Sequence, residues 1–205
     1  MTRKLTLSLG LLVAMVLGFG SLQNVNAMTE EAGPADATDF TLKDHHGNEV
    51  TLSEIPDDQI VVLEWINFQC PFVVRHHNDQ FETMVTLANA YKDQNVKWLA
   101  INSSHFATIE SNKADVQAND LPYPILNDSS GEVGQAYDAK TTPHMFIIKD
   151  GKILYDGAID NDKSGNMSAD ERVNYVKQAL DEILAGQTVS TPKTKPYGCS
   201  VKYKK

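Results

Sequence analysis

The stretch that decides the fold is Trp65-Ile66-Asn67-Phe68-Gln69-Cys70-Pro71-Phe72-Val73-Val74-Arg75-His76-His77. Residues 60–66, which lead into it, are mostly β-branched and aromatic and predict a strand. Beyond it, apolar residues recur at helical spacing, at Phe81, Met84, Ala88 and Tyr91. Cys70 is therefore expected where a strand gives way to a helix, with Pro71 in the first helical turn, where proline is tolerated.

This position has chemical consequences for Cys70. A thiol at a helix start faces unpaired backbone N–H groups and the positive end of the helix dipole, and both favour the thiolate. Free cysteines are also among the most buried residues, so an inert core residue is the alternative interpretation. The strand-to-helix placement favours a nucleophilic cysteine.

The N-terminus resembles a secretory signal peptide over residues 1–27. Arg3 and Lys4 form a basic start, residues 5–20 an apolar run, and Val25-Asn26-Ala27 a small-residue cleavage site. The apolar run is short and interrupted by glycine, so we expect export to the periplasm or secretion without stable membrane insertion. A retained N-terminal anchor is the alternative. Residues 28–37 are acidic and rich in small residues, which predicts a mobile leader.

Charge and cysteine content restrict the possible partners and the type of core. The chain has 205 residues and a net charge of −9, and removing Arg3 and Lys4 with the signal would make it −11. Nucleic acid is therefore not an expected partner. Two cysteines are too few for a disulfide scaffold, so the domain predicted over 38–186 needs a hydrophobic core. In an oxidising compartment Cys70 and Cys199, which lies in the tail 187–205, invite a structural or a catalytic disulfide.

The remaining pattern predicts strands that alternate with helices and end in a hairpin and a helix. The predicted strands are 40–44 and 49–52 as a hairpin, 96–102, a short piece reaching Leu126, and a second hairpin over 144–148 and 153–155. The predicted helices are 108–119, 131–137 and a last one that begins at Ser168, has the apolar stripe Val173, Val176, Leu180 and Ile183, and ends at Gly186. This order predicts a mixed sheet flanked by helices.

Several of these segments together resemble the thioredoxin fold, and more narrowly the redoxin (alkyl hydroperoxide reductase/thiol-specific antioxidant) family in its peroxiredoxin-like group. The similarity rests on Cys70-Pro71-Phe72-Val73, Leu126-Asn127-Asp128, residues 155–160 and residues 198–203. It implies an α/β thioredoxin-like domain, with a central mixed β-sheet flanked by helices and an N-terminal β-hairpin extension. It also implies a thiol-dependent oxidoreductase, with Cys70 as the nucleophile toward peroxide or disulfide substrates, a reducing partner that the sequence does not identify, and no cofactor.

The same resemblance suggests the site residues. Thr142-Pro143 resembles the cis-proline turn that faces the active cysteine, so these two residues, with Pro71, Phe72 and His105, are the expected substrate-binding residues. The chain departs from the family at position 67, where related proteins often carry a second cysteine or, in peroxiredoxins, a hydroxyl residue. Asn67 stands there and is expected to support Cys70 through its amide.

Cys199 is then the only thiol in the chain that could resolve an oxidised Cys70. It is expected to act as a catalytic residue with Cys70 and Asn67. Pairing within one chain, pairing between subunits and no pairing remain open at this stage.

A non-catalytic module is the alternative from a different functional class. Cys70, His105 and His144 could in principle supply thiolate and imidazole ligands to a metal, although no paired-ligand spacing supports such a site. Residues 160–171 place oxygen ligands close to the spacing of a calcium loop, but Ser168 and Glu171 also fit a capping box, which we favour. Of the other histidines, His77 is expected in the core or at its boundary, and His76 at the surface.

Overall fold

The computed structural model describes residues 33–78 and 83–205. The predicted signal peptide, residues 28–32 of the predicted leader, and Phe81 lie outside the described residues.

A seven-stranded mixed sheet forms the centre of the domain. Its strands are β1 (Thr41–Asp44), β2 (Glu49–Thr51), β3 (Ile60–Trp65), β4 (Val96–Asn102), β5 (Ile125–Asn127), β7 (His144–Lys149) and β8 (Lys152–Gly157). They lie in the order β2-β1-β5-β4-β3-β7-β8, in which β3, β4 and β5 run parallel and the other neighbours are antiparallel. A separate two-stranded sheet pairs β6 (Thr141–Thr142) with β9 (Cys199–Ser200). The fold is thioredoxin-like, as predicted.

Both faces of the large sheet are covered, which explains why β3 is apolar along almost its whole length. Because side chains alternate along a strand, Val62 packs on one face, with Met84 and Leu180. Leu63 packs on the other face, with Phe40. The helices are α1 (Pro71–His77), α2 (Thr83–Tyr91), α3 (Ile109–Ala118), α4 (Glu132–Ala136) and α5 (Tyr175–Leu184).

The helical region after Cys70 is described as two helices, α1 and α2. The apolar positions predicted for it, Met84, Ala88 and Tyr91, are all buried on α2. His77 lies in the core as expected. The surface position expected for His76 is wrong, because its side chain is fully buried against the C-terminal segment.

The last helix begins at Asn174 rather than at Ser168, so that part of the prediction is wrong. The Asn174 side chain caps α5 by accepting a hydrogen bond from the Lys177 N–H. Val173, predicted to lie in the apolar stripe, is 42% exposed. The helix ends as predicted at Gly186, whose positive φ of 69° suits glycine and whose N–H bonds the Ile183 carbonyl.

Both ends of the described domain are attached to the sheet. Residues 33–37, the described part of the predicted leader, are hydrogen-bonded to the hairpin of β7 and β8. The Ile153 N–H donates to the Ala35 carbonyl, and the Ala37 N–H donates to the Gly151 carbonyl. The C-terminal segment crosses the sheet edge and ends in contact with α4, where the Tyr203 ring fills the space beside Gly134. Within residues 33–78 and 83–205 we find no helix with the length and apolar character needed to span a membrane.

Candidate active site

Cys70 lies at the junction of β3 and α1, as the sequence predicts. It is the N-cap residue of α1, with extended backbone angles (φ −93°, ψ 119°), and Pro71 occupies the first turn. Its N–H donates to the Asn67 carbonyl at 2.8 Å, which closes the turn between strand and helix. The residue is only 2% exposed.

The structure brings the two cysteines of the chain together. The Sγ atoms of Cys70 and Cys199 are 2.7 Å apart, and both residues are free thiols. Cys199 reaches this position because β9 pairs antiparallel with β6, so that it lies opposite Thr142. Two thiols this close can exchange two electrons with a substrate by forming and breaking one disulfide bond.

The peptide bond between Thr142 and Pro143 is cis, as the resemblance implied. The Thr142 carbonyl oxygen lies 3.0 Å from Cys70 Sγ. A protonated Cys70 donates to this carbonyl, whereas a Cys70 thiolate accepts from the donors that surround it. The turn at Pro143 therefore supplies one wall of the site, directly at the sulfur.

The two thiols differ in acidity. Burial raises the pKa of Cys70, but hydrogen bonds from the Cys199 thiol and from backbone N–H groups, including those of Val73 and Phe72, outweigh it, so the pKa is lowered overall. Burial raises the pKa of Cys199 to about 11, and its hydrogen bond to Cys70 adds to the rise. Cys70 is thus the more acidic thiol of the pair, and when it loses its proton the Cys199 thiol can donate a hydrogen bond to the Cys70 sulfur.

The segment that carries Cys199 is fixed by Tyr197, two residues before it. The Tyr197 hydroxyl donates to Asp160 Oδ1 and lies 3.0 Å from His76 Nε2 and 3.3 Å from Arg75 Nη2. Burial, followed by the charge of Arg75, lowers the pKa of His76 to about 3, so this imidazole is neutral. The Tyr197 ring also meets Phe72 edge to face, at a centroid distance of 5.9 Å. Sequence reasoning missed this anchor, because its members are far apart in the chain.

The hydrogen bonds of Asn67 and His105 differ from those expected of site residues, because none of them joins a side chain of these two residues to the Cys70 sulfur. The Asn67 amide donates to Ser104 Oγ at 3.0 Å, and its side-chain oxygen accepts from the Gln69 N–H at 2.8 Å. Its hydrogen bond with Cys70 is made by the backbone, because the Asn67 carbonyl accepts from the Cys70 N–H. His105 has an exposed side chain, and its N–H donates to the Lys202 carbonyl, so it contacts the C-terminal segment.

A buried polar network lies behind α1 and was also missed. His77 Nε2 lies 3.4 Å from Glu64 Oε1, and the Tyr123 hydroxyl donates to the other Glu64 oxygen at 3.1 Å. His77 Nδ1 donates to the Val73 carbonyl at 2.7 Å. Burial lowers the pKa of His77, but the negative charge of Glu64 and the hydrogen bonds to Glu64 and to the Val73 carbonyl together outweigh it, so the pKa is raised. A glutamate within an apolar strand was the available sequence signal.

The structure does not gather ligands for the metal alternative. His144 Nε2 lies 2.8 Å from Asp156 Oδ1, and its Nδ1 accepts from the Lys140 N–H at 3.3 Å. Both ring nitrogens are therefore used to hold the cis-proline turn. Across the described part of the chain, no three His, Cys, Asp or Glu side chains form a group suited to a metal ion.

The loop proposed as a calcium site closes on itself through protein hydrogen bonds. Asp162 Oδ1 accepts from the N–H groups of Gly165 and Asn166, and its Oδ2 accepts from the Met167 N–H. Arg172 Nε lies 3.4 Å from Asp162 Oδ2. These donors satisfy the carboxylate that would be a central calcium ligand, so the loop needs no ion to hold its shape.

Comparisons with known proteins agree with this geometry. The profile of the AhpC/TSA family matches residues 35–156. Sporulation thiol-disulfide oxidoreductase A of Bacillus subtilis (strain 168) is 25% identical over 165 residues, which cover 80% of this chain and 93% of that protein. Thiol-disulfide oxidoreductase ResA of the same organism is 24% identical over 156 residues, covering 74% and 83%. The crystal structure of a hypothetical protein from Sinorhizobium meliloti 1021 is 31% identical with a TM-score of 0.73, covering 83% of this chain and 94% of that one.

Proposed function

Because this chain belongs to the AhpC/TSA family and is a thiol-dependent oxidoreductase, we propose that Cys70 and Cys199 of one chain are its redox couple, with Cys70 as the nucleophile. The observation that carries the proposal is the 2.7 Å separation of the two sulfurs at the start of α1. The lowered pKa of Cys70 beside the raised pKa of Cys199 supports this assignment of roles.

In the first half of the cycle, the Cys70 thiolate attacks its substrate. With a peroxide, an S–O bond forms as the O–O bond breaks, and the departing oxygen takes up a proton, which leaves a sulfenic acid on Cys70. With a disulfide, Cys70 forms a mixed disulfide and releases the other half as a thiol. The family name suggests the first substrate, and the names of the Bacillus subtilis relatives suggest the second.

In the second half, Cys199 resolves the intermediate. Its sulfur displaces water from the sulfenic acid, or the second thiol from the mixed disulfide, and a bond between Cys70 and Cys199 results. Restoring the two thiols takes two electrons and two protons, so a dithiol protein is the class of reducing partner that completes the cycle. Asn67 acts in this scheme as a positioning residue that shapes the turn below Cys70.

We also place this chemistry outside the cytoplasm. The basic start, apolar run and small-residue site of residues 1–27 support export to the periplasm or secretion. An oxidising compartment would return the couple to the disulfide unless a dedicated reductant acts on it.

One experiment tests the assignment of both cysteines. After one equivalent of hydrogen peroxide, peptide mapping without reduction should give a 70–199 linked peptide in the wild type. Cys199→Ser should instead accumulate a sulfenic acid on Cys70, which dimedone traps. If both proteins give the same oxidised Cys70 species, Cys199 has no part in the cycle. If Cys70 is not oxidised in either, the proposal fails as a whole.

A further inference from the structure

The backbone edge beside Cys70 is already occupied in this structure. An extended polypeptide can pair with an exposed strand edge through main-chain hydrogen bonds. The strand next to Cys70, β6, is paired with Cys199–Ser200 of the same chain, with Thr142 opposite Cys199 and Thr141 opposite Ser200. The C-terminal strand thus occupies the strand edge beside Cys70, with which an extended polypeptide could otherwise pair.

The strand is held on both sides of Cys199. Before it, the Tyr197 hydroxyl bonds Asp160, His76 and Arg75. After it, the Val201 N–H donates to the Lys140 carbonyl at 3.2 Å, and the Tyr203 hydroxyl donates to the Ala139 carbonyl at 2.8 Å. These anchors leave Cys70 only 2% exposed. A diatomic group such as the O–O bond of hydrogen peroxide needs far less opening than a polypeptide.

Gly198 permits this docking. Its φ of 151° is one that other residues rarely adopt, and a Cβ built on it would lie 2.1 Å from the Thr142 carbonyl oxygen. That neighbour is backbone of the cis-proline turn and cannot rotate away. A side chain at position 198 therefore forces the strand and the cis-proline turn apart and weakens the docking of the strand.

We propose that the C-terminal strand, residues 197–200, determines the substrate specificity of this oxidoreductase, with Gly198 as the residue that lets it dock. While docked, the strand occupies the Thr141–Thr142 edge and restricts the substrates of Cys70 to small hydroperoxides. A polypeptide disulfide reacts only after the strand has left the edge. This inference rests on the proposed function of Cys70 as the nucleophile.

The test compares two substrates on reduced full-length protein. One is hydrogen peroxide, and its reaction is measured by the formation of sulfenic acid and of a disulfide at Cys70. The other is a synthetic ten-residue peptide with one glutathionylated cysteine. Its reaction is measured by the glutathione that is released as Cys70 forms a mixed disulfide with the peptide. Wild type should react with peroxide and only slowly with the peptide.

Gly198→Ala should change the two rates in opposite directions. Its rate with the peptide should rise about tenfold or more, because that rate is proportional to the fraction of molecules in which the Thr141–Thr142 edge is unpaired. Its peroxide-driven 70–199 link should form more slowly, with sulfenic acid accumulating instead. Gly151→Ala is the matched control: this glycine also has a positive φ, of 69°, but a Cβ there meets nothing within 4 Å. It should keep the wild-type preference.

The outcomes distinguish failure of the specificity proposal from failure of the proposed function of Cys70 as the nucleophile. If wild type and Gly198→Ala react equally fast with the peptide, the strand does not set specificity. If Gly198→Ala loses both reactions in parallel, its effect is structural and the proposal is wrong. If Gly198→Ala does not fold, Tyr197→Phe, which removes only the anchoring hydroxyl, must show the same gain with the peptide. Wild type that reacts with neither substrate contradicts the proposed function itself.

Discussion

The two cysteines at this site differ in acidity because their surroundings differ. Cys70 has the N–H groups of the first helical turn and the thiol of Cys199 as donors, and these overcome the effect of burial on its pKa. Cys199 lies on a short strand, and burial together with the hydrogen bond to the neighbouring Cys70 sulfur raises its pKa. When the pair loses one proton, Cys199 therefore keeps its own and the negative charge develops on Cys70 at the helix start.

This difference predicts a pH dependence of alkylation. Because its folded pKa is lowered, Cys70 should react with iodoacetamide with a midpoint below the ordinary thiol value of about 8.5. Cys199→Ala removes a donor to the thiolate and should move the midpoint upward. Cys199→Ser keeps a hydroxyl donor and should restore part of the shift. The rate is followed by mass spectrometry of the peptide containing Cys70, and a midpoint unaffected by Cys199→Ala would remove Cys199 as the donor.

At the scale of elements, the start of α5 shows how a loop overrides a local capping signal. Ser168 and Glu171 interact as a capping pair would, since Ser168 Oγ lies 2.9 Å from Glu171 Oε2. The helix does not start there, because Asn161 binds the following turn: its amide donates to the Glu171 carbonyl and its oxygen accepts from the Val173 N–H. The chain is thus held in a turn until Asn174.

Two matched variants distinguish the caps. Asn174→Ala should lower the free energy of unfolding by about 1 kcal/mol, because the Lys177 N–H loses its acceptor. Ser168→Ala should change it by less than about 0.5 kcal/mol, because it lies in an exposed turn. Urea denaturation monitored by far-UV circular dichroism measures both. A larger loss from Ser168→Ala than from Asn174→Ala would show that the helix is capped at Ser168 in solution.

For the molecule as a whole, the Cys70–Cys199 couple joins the first part of the domain to its last strand. The two residues are 129 positions apart in the chain. A bond between them would close a loop that contains most of the sheet, and cross-links that close long loops restrict the unfolded chain most. The redox state of the couple should therefore be linked to stability.

The oxidised wild type should be more stable than the reduced protein by about 5 kcal/mol, the order expected from the entropy of closing a loop of this length. Guanidinium unfolding of the peroxide-treated protein and of the fully reduced protein measures the difference. Cys199→Ser is the control and should unfold at the same denaturant concentration after either treatment. Equal stability of the two wild-type forms would mean that the oxidised couple does not restrict the unfolded chain.

The sequence by itself determined the fold and the position of Cys70 between a strand and a helix. Period-two and helical patterns identify strands and helices because burial of one face imposes them, and the strand-to-helix junction at Cys70 is a local feature of consecutive residues. The Thr142-Pro143 turn followed from resemblance, and the helix end at Gly186 from the freedom of glycine at positive φ.

Only the tertiary structure decided what surrounds Cys70. Whether Cys199 reaches Cys70 depends on the pairing of β9 with β6, which joins residues more than fifty positions apart. Tyr197 with Asp160, and Glu64 with His77, become partners through packing, and no sequence period relates them. The same holds for Gly198, whose contact with the Thr142 carbonyl exists only once the last strand lies on the sheet edge. Contacts between distant segments follow from how the elements assemble, and one sequence does not encode them in any local pattern.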